Sequence, residues 1–357
     1  MHTYLLLHLV LSVLFYEKKQ PEPIKGTWIT NVASDILLSK ANIEKGIQLC
    51  KKNGINNVYV VVWNDGVTMY PSKVTEKYIG VKQDTIYKGR DPIKEMVEIA
   101  HQYGIKVHAW FEFGFSYSYK NDKSIWATKY PAWVGRDVKG NPLKKNNFYW
   151  WNSLNPEVQT FMTSLVLEVV NNYDIDGIQG DDRLPAMPSE GGYDKYTLGK
   201  YAKENKGANP PTNHKDSAWL QWRANILNKY GKSLYAAVKK AKPSCTVSWA
   251  PSLYPWSKEQ YLQDWPTWLN GGYADYIIPQ LYRYNYAAYE KSVKEMVKQV
   301  TPAQRKQLVP GMLTSLGDGY LVRKTLLDSM LQCNQQNGIE GSVLFYYETL
   351  PKLFAGN

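Results

Sequence analysis

The stretch DGIQGDDR, Asp176 to Arg183, decides how this chain folds. A short apolar run ends there in two consecutive carboxylates, directly after Pro156–Tyr173, whose apolar spacing is that of a helix. In a barrel of parallel strands, the C-terminal strand ends carry the chemistry. Side chains alternate along a strand, so Gln179, Asp181 and Arg183 share one face while Ile178 and Asp182 share the other. Asp181 is therefore the carboxylate aimed inward. The competing reading is a helix N-cap, which bears more heavily on Asp182 than on Asp181.

Working outward, about eight β-rich runs alternate with amphipathic stretches, the pattern of an α/β protein built as a (β/α)8 TIM barrel. The strands are expected at Ile24–Val32, Val58–Trp63, Ile105–Phe113, Ile175–Asp181, Cys245–Ala250, Tyr276–Leu281, Leu308–Leu313 and Ser342–Tyr347. Asp91 with Pro92 opens a helix that Gly104 ends. Along the third strand His108, Trp110 and Glu112 share one face. Two connections are too long for ordinary loops: Ser116–Asn155, dense in Tyr and Trp, and Leu184–Ala218, rich in Pro, Gly, Asn and Lys. Both fall at the Asp181 end of the barrel and read as long substrate-side loops; for the first, a packed lid is the alternative.

At 357 residues and 44% hydrophobic content the chain can bury a barrel-sized core. Residues 1–15 carry no charged side chain and precede a polar run, so residues 1–20 read as a signal peptide with a polar mature N-terminus, and 21–357 as a single barrel domain. A buried N-terminal segment is the alternative, because no positive n-region or small-x-small site is evident. The apolar stretch is short for a membrane span, and no stable span is expected after processing. Export is the expected localisation.

Cys50, Cys245 and Cys333 are too far apart for a disulfide framework or a metal knot, and read as buried small hydrophobes. The formal charge of +11 is scattered over helix faces without a nucleic-acid-binding module, so no nucleic acid partner is expected. Tyrosine (28) and tryptophan (13) far outnumber phenylalanine (8), a bias that suits stacking on sugars with a polar edge to spare.

Residues at the expected strand ends are Asn64, Asp65, Glu112, Asp181, Asp182, Trp249, Gln280, Tyr282 and Glu348. Asp65 before Gly66 also reads as a turn, and Glu348 as a cap on the last short helix. Several acids facing one barrel mouth cost desolvation and call for a function. Glycoside hydrolysis needs two carboxyl groups flanking the bond. Asp181 and Glu112 are the preferred pair: Asp181 as nucleophile or base, Glu112 as acid or substrate ligand. Asp182 tunes Asp181, Arg183 and Gln280 orient, and Glu348 is an equal candidate for second acid.

These segments resemble the family-10 glycosyl-hydrolase-like bacterial proteins. IKGTWIT (Ile24–Thr30) is similar to their Gly-x-Trp opening, KVHAWFEFG (Lys106–Gly114) to their His-Ala-Trp strand, SLNPEV (Ser153–Val158) to their Leu-Asn-Pro segment, YDIDGIQGDDR (Tyr173–Arg183) to their Asp-Gly-Ile-His-x-Asp-Asp-Tyr signature, and IIPQLYRY (Ile277–Tyr284) to their Pro-Gln-x-Tyr. The resemblance implies a TIM-type barrel, export, and hydrolysis of a polysaccharide, peptidoglycan glycan strands being one target class. His108, Trp110, Asp181, Asp182, Pro279 and Gln280 sit at matching positions. Gln179 replaces the usual His, Arg183 the usual Tyr, and Glu112 stands where many members have Asn, a departure that points to an acidic sugar met by Arg183. The working expectation is an exported glycoside hydrolase that needs no cofactor or metal, with catalytic residues Asp181, Glu112 and Asp182. Its substrate-binding set is Asn64, Asp65, His108, Trp110, Arg183, Trp249, Gln280, Tyr282 and Glu348. A barrel that only binds glycan is the second reading, and a metal-dependent deacetylase using Asp-Asp and His108 a weaker third.

Overall fold

In the computed structural model, which describes residues 22–316 and 319–354, the apolar runs form parallel strands with helices between them. The expected leader, residues 1–20, lies outside the described residues. The barrel strands are β1 (Lys25–Ile29), β2 (Asn57–Val61), β3 (Lys106–Phe111), β4 (Gly177–Gly180), β5 (Thr246–Trp249), β6 (Tyr276–Ile277 continued by Gln280–Leu281), β7 (Gly311–Leu313) and β8 (Ser342–Phe345). Neighbours in this order pair in parallel from β1 to β5, and β8 returns to β1 with Lys25 opposite Ser342.

The ring closes at β6. Its lower half pairs with β5 and its upper half with β7. At the break, the Ile278 amide donates to the Trp249 carbonyl at 2.7 Å and the Gly311 amide to the Pro279 carbonyl at 2.8 Å. Sequence reading expected an unbroken strand over Tyr276–Leu281. Pro279 has no N–H to give the ladder, so the strand is interrupted there while its carbonyl still serves β7.

The main helices between strands are Lys40–Lys52, Pro92–Gln102, Pro156–Asn172, Ser217–Ala241, Trp265–Asn270, Tyr286–Val297 and Lys324–Gln336. Ser39, Asp91, Asn155 and Asp216 each accept a first-turn amide, and Pro92 and Pro156 take first helical positions where no N–H is needed.

Both long connections hold more structure than the sequence suggested. Ser116–Asn155 contains a three-stranded antiparallel sheet of Ser116–Tyr119, Phe148–Trp150 and Lys144–Lys145, plus the helix Ile125–Lys129. Trp126, Trp133 and Trp151 pack with Trp63 and Phe161 in one buried ring cluster. These tryptophans are core, so this part of the excursion is a packed lid. Leu184–Ala218 includes the helix Lys195–Glu204. The buried Arg223 guanidinium ties this connection to Ser217–Ala241 by donating to the carbonyls of Ser189, Gly191 and His214. Cys50, Cys245 and Cys333 are free and buried.

Side chains from alternate positions fill the barrel interior. The Trp28 indole donates to Gln179 Oε1 at 2.6 Å, and Tyr59 stacks on His108 at 4.6 Å. These rings fit because glycine faces them: a Cβ on Gly177 would stand 2.3 Å from His108 Nδ1, and one on Gly311 would stand 2.7 Å from Trp28. His108 Nε2 donates to Asn57 Oδ1 at 2.8 Å and Thr246 faces Nδ1 at 3.4 Å, the arrangement of a neutral imidazole. Burial pushes its pKa down to about 4, with Asp176 opposing.

This shift makes stability pH-dependent. As pH falls through about 6.5 the unfolded chain binds the proton first, so the folded state loses up to about 3 kcal/mol by about pH 4, and no more from this group below that. His108→Gln is expected to be less stable at neutral pH yet to show a shallower loss of Tm over that interval. Equal slopes in thermal melts of the two proteins would refute the assignment.

Candidate active site

Glu112 and Asp181 stand just past the ends of β3 and β4 on the inward faces, where alternation places them. Between them lies Arg183. Its Nη2 is 3.3 Å from Asp181 Oδ2 and 3.7 Å from Glu112 Oε1, and its Nη1 is 3.1 Å from Asp182 Oδ1. The guanidinium is held from two further directions: Nε donates to the Glu112 carbonyl at 2.9 Å, and the plane lies over Phe148 at 4.6 Å and Phe113 at 5.5 Å. Asp181, 3% exposed, also accepts from Gln280 Nε2 at 2.8 Å, while buried Gln263 donates to its carbonyl. Asn64 donates to Glu112 Oε2 at 2.8 Å.

Burial raises the Asp181 pKa well above the usual carboxylate range; Asp182 and Glu112 add to the rise, and Arg183 opposes it. Glu112 is raised for the same first reason, with Arg183 and the Asn64 hydrogen bond pulling against burial. Burial would lower the Arg183 pKa, but its three carboxylate neighbours outweigh that and raise it. Tyr282 is raised well above the usual phenol range by burial and the same acids, so it remains a protonated hydrogen-bond donor at neutral pH.

Glu112 opens onto a cleft of about 490 Å³ whose walls include Thr30, Asn64, Asn146, Phe148 and Tyr346. Sequence reading missed Tyr119, Asn146 and Phe148. Asn146 and Asn147 are both left-handed (φ 52° and 68°) and form the two-residue turn between Lys145 and Phe148, a turn that paired asparagines signal. Asp65 and Gly66 make the same kind of turn between Asn64 and Val67, so the turn reading of Asp65 holds. Its carboxylate accepts the Tyr119 amide at the cleft rim.

The remaining expected residues separate by depth. Trp110 is buried beneath Glu112 against Trp28, and its indole N–H has no protein partner. His108 lies a layer lower, engaged with Asn57 and Thr246. Trp249 points out of the barrel, donating to the Tyr273 carbonyl with its ring edge on Trp268. Tyr282 is half-buried against Phe345. Glu348, in the turn Tyr347–Thr349, accepts from Ser34 at 2.5 Å rather than joining the carboxylate set. Arg183 already serves three internal carboxylates, which removes the basis for its meeting an acidic sugar.

A parallel barrel with carboxylates gathered beyond β3 and β4 has the architecture of the barrel hydrolases. The chain belongs to the glycosyl hydrolase-like 10 family, whose sequence model matches residues 23–317. It is 25% identical over 306 residues to glycosyl hydrolase DigH of Escherichia coli K12, covering 74% of this chain and 66% of DigH. It is 26% identical over 329 residues to glycosyl hydrolase YngK of Bacillus subtilis 168, covering 79% of this chain and 59% of YngK. The chain thus spans 66% and 59% of these two relatives' lengths. The PgaB (BpsB) glycoside hydrolase domain of Bordetella bronchiseptica shares the fold, with a TM-score of 0.70 at 12% identity, covering 94% of this chain and 96% of that domain.

Removing the cation from such a set leaves buried anions uncompensated. Arg183→Met is expected to cost about 3–5 kcal/mol at neutral pH. The deficit should shrink as pH falls through the raised titration range of these carboxyls, above that of free carboxylates, because protonation removes the unpaired charge, as measured by urea unfolding. A deficit independent of pH would mean that Arg183 acts through packing alone.

Proposed function

We propose that this protein is an exported glycoside hydrolase acting on a polysaccharide, with residues 1–20 as an export signal and polar mature N-terminus and 21–357 as one catalytic barrel. The observation that carries the reading is the gathering of Glu112, Asp181 and Asp182 around one guanidinium at the barrel mouth, beside an open cleft. Buried acids that raise one another's pKa titrate as a set, and such a set retains a proton at a pH where a free carboxylate is ionised. Glycosidic cleavage needs that combination: a proton for the leaving oxygen and a carboxylate on the other side of the bond.

Glu112, on the cleft wall, is the general acid. Asp181 is the nucleophile or base in the state where the proton shared by the set rests on Glu112, with Oδ1 aimed by Gln280 and Oδ2 by Arg183. Asp182 sets the charge beside it. Asn64, Asp65, Gln280 and Tyr282 present polar groups to the sugar, while Trp110, from below, keeps an unpaired N–H under the site. His108 drops out of the substrate set because Asn57 and Thr246 hold it a layer below the acids, Trp249 because it faces out of the barrel, and Glu348 drops out as second acid because Ser34 holds it elsewhere. Export rests on the uncharged apolar residues 1–15. Among the described residues no helix is long and apolar enough to cross a membrane.

The glycan-binding reading has one observation in its favour: Arg183 occupies the space between the two acids and covers Asp181. The deacetylase reading loses its histidine, since both ring nitrogens of His108 face Asn57 and Thr246.

The test is cleavage of a broad polysaccharide panel by wild type, Asp181→Asn and Glu112→Gln, each checked for native melting. Either substitution is expected to lower kcat by about a hundredfold or more. For Glu112→Gln the alkaline limb of the pH profile should vanish, because that limb reports loss of the acid's proton. Undiminished cleavage by a folded Asp181→Asn would exclude Asp181 from the chemistry. Binding without cleavage by all three proteins would favour the glycan-binding barrel.

A further inference from the structure

Of the thirteen tryptophans, eleven are buried and Trp222 is half-buried. Trp256 alone is strongly exposed, at 49%. An exposed indole offers a flat apolar face with a polar edge, the kind of surface that stacks on a sugar ring. Trp256 opens the short helix Trp256–Tyr261 in the connection after β5, at the same end of the barrel as Asp181. One ring packs against it, Tyr261, tilted with centroids 5.6 Å apart, which leaves an indole face to solvent.

Tyr261 links this indole to the active site. Its hydroxyl accepts from Asn146 Nδ2 at 3.0 Å, and Asn146 lines the cleft. The Tyr261 phenol also lies within electrostatic reach of Asp182 and Arg183, which respectively raise and lower its pKa after burial. Lys145, whose Nζ sits over the Tyr261 ring, bonds Gln260 and Glu190, so the turn at Asn146, the Trp256 helix and the connection after β4 are tied together. The cleft walls come from the connections after β1, β2, β3, β7 and β8. Trp256 belongs to the connection after β5, across the barrel in strand order from the connection after β1.

We propose that Trp256 is a stacking platform for a distal sugar ring of the polysaccharide, so that one glycan chain lies in the cleft, crosses the carboxylates and rests its far end on the indole. This rests on the glycoside hydrolase reading for the chain's direction, but not for the platform itself. The ligand is the apolar face of an uncharged pyranose. A flat indole matches that face, and sugar hydroxyls project sideways from it.

The test uses Trp256→Ala and Trp256→Phe with dimers and hexamers of the cello- and chito-oligosaccharide series, measuring affinity and the acrylamide quenching of tryptophan fluorescence. In wild type, Trp256 is the main quenchable residue, and a bound hexamer should shield it where a dimer does not. The ratio of hexamer to dimer affinity is expected to fall at least about tenfold in Trp256→Ala and to be largely kept in Trp256→Phe. Shielding by a hexamer that wild type never cleaves would uphold the platform while ending the hydrolase reading. An unchanged affinity ratio in Trp256→Ala, or failure of every sugar in both series to shield the indole, would overturn the proposal. Shielding that instead rises with protein concentration would assign Trp256 to a protein contact and overturn it equally.

Discussion

The arrangement at the barrel mouth depends on one cation among three acids. Bringing Glu112, Asp181 and Asp182 together out of water costs both desolvation and mutual repulsion, and neither is offset unless a positive group stands between them. Arg183 does so with its fork of donors, and the surroundings leave it little freedom: the Glu112 carbonyl fixes Nε, and Phe148 and Phe113 flank the plane. The hairpin carrying Phe148 therefore has an electrostatic task as well as a packing one. Tied through Lys145 and Asn146 to Gln260 and Tyr261, it holds the guanidinium beneath an aromatic roof.

The floor below is equally constrained. A barrel interior filled with Trp28, Tyr59, His108 and Trp110 leaves room for only a few polar atoms; the Trp28 indole meets Gln179 and the His108 imidazole meets Asn57, while the Trp110 N–H and the Tyr59 hydroxyl have no protein partner. The break in β6 has a functional consequence here. Because Pro279 stops the ladder with β5, Gln280 begins a new segment whose amide bonds the Pro251 carbonyl, and its side chain is turned onto Asp181 Oδ1. A proline that weakens a strand thereby helps aim a carboxylate.

Much of this was legible in the sequence, because alternation is a strict rule. On β3 and β4 it put Glu112, Asp181 and Gln179 on the correct face, and the repeated strand–helix rhythm required a ring. The same rule, followed further, would have removed Trp249. Ser248 bonds Gln179 inside the barrel, so its neighbour must face outward. His108 had the right face but the wrong depth, since four residues of strand separate it from Glu112 by roughly 13 Å. The aromatic surplus was misleading for another reason. Composition cannot distinguish a tryptophan that packs on tryptophan from one that waits for sugar; both need the same surface, and only the fold decides which rings meet. The tie between Asn146 and Tyr261, 115 residues apart, had no local signal at all.

The charge balance of the cluster also bears on what can enter. An acidic sugar would bring a further anion to a place where Asp181 and Glu112 already hold their protons more tightly than free carboxylates, and where the one guanidinium is shared three ways. It would have to compete with three internal partners for Arg183, two of them covalently fixed within two residues of it. A neutral sugar faces no such contest: it can donate hydroxyl protons to the carboxylates and present its apolar face to Phe148 or Tyr346 on the cleft wall. The net charge of +11 does not alter this, because it is carried by lysines spread over the outside of the barrel, where solvent and salt screen it from the mouth.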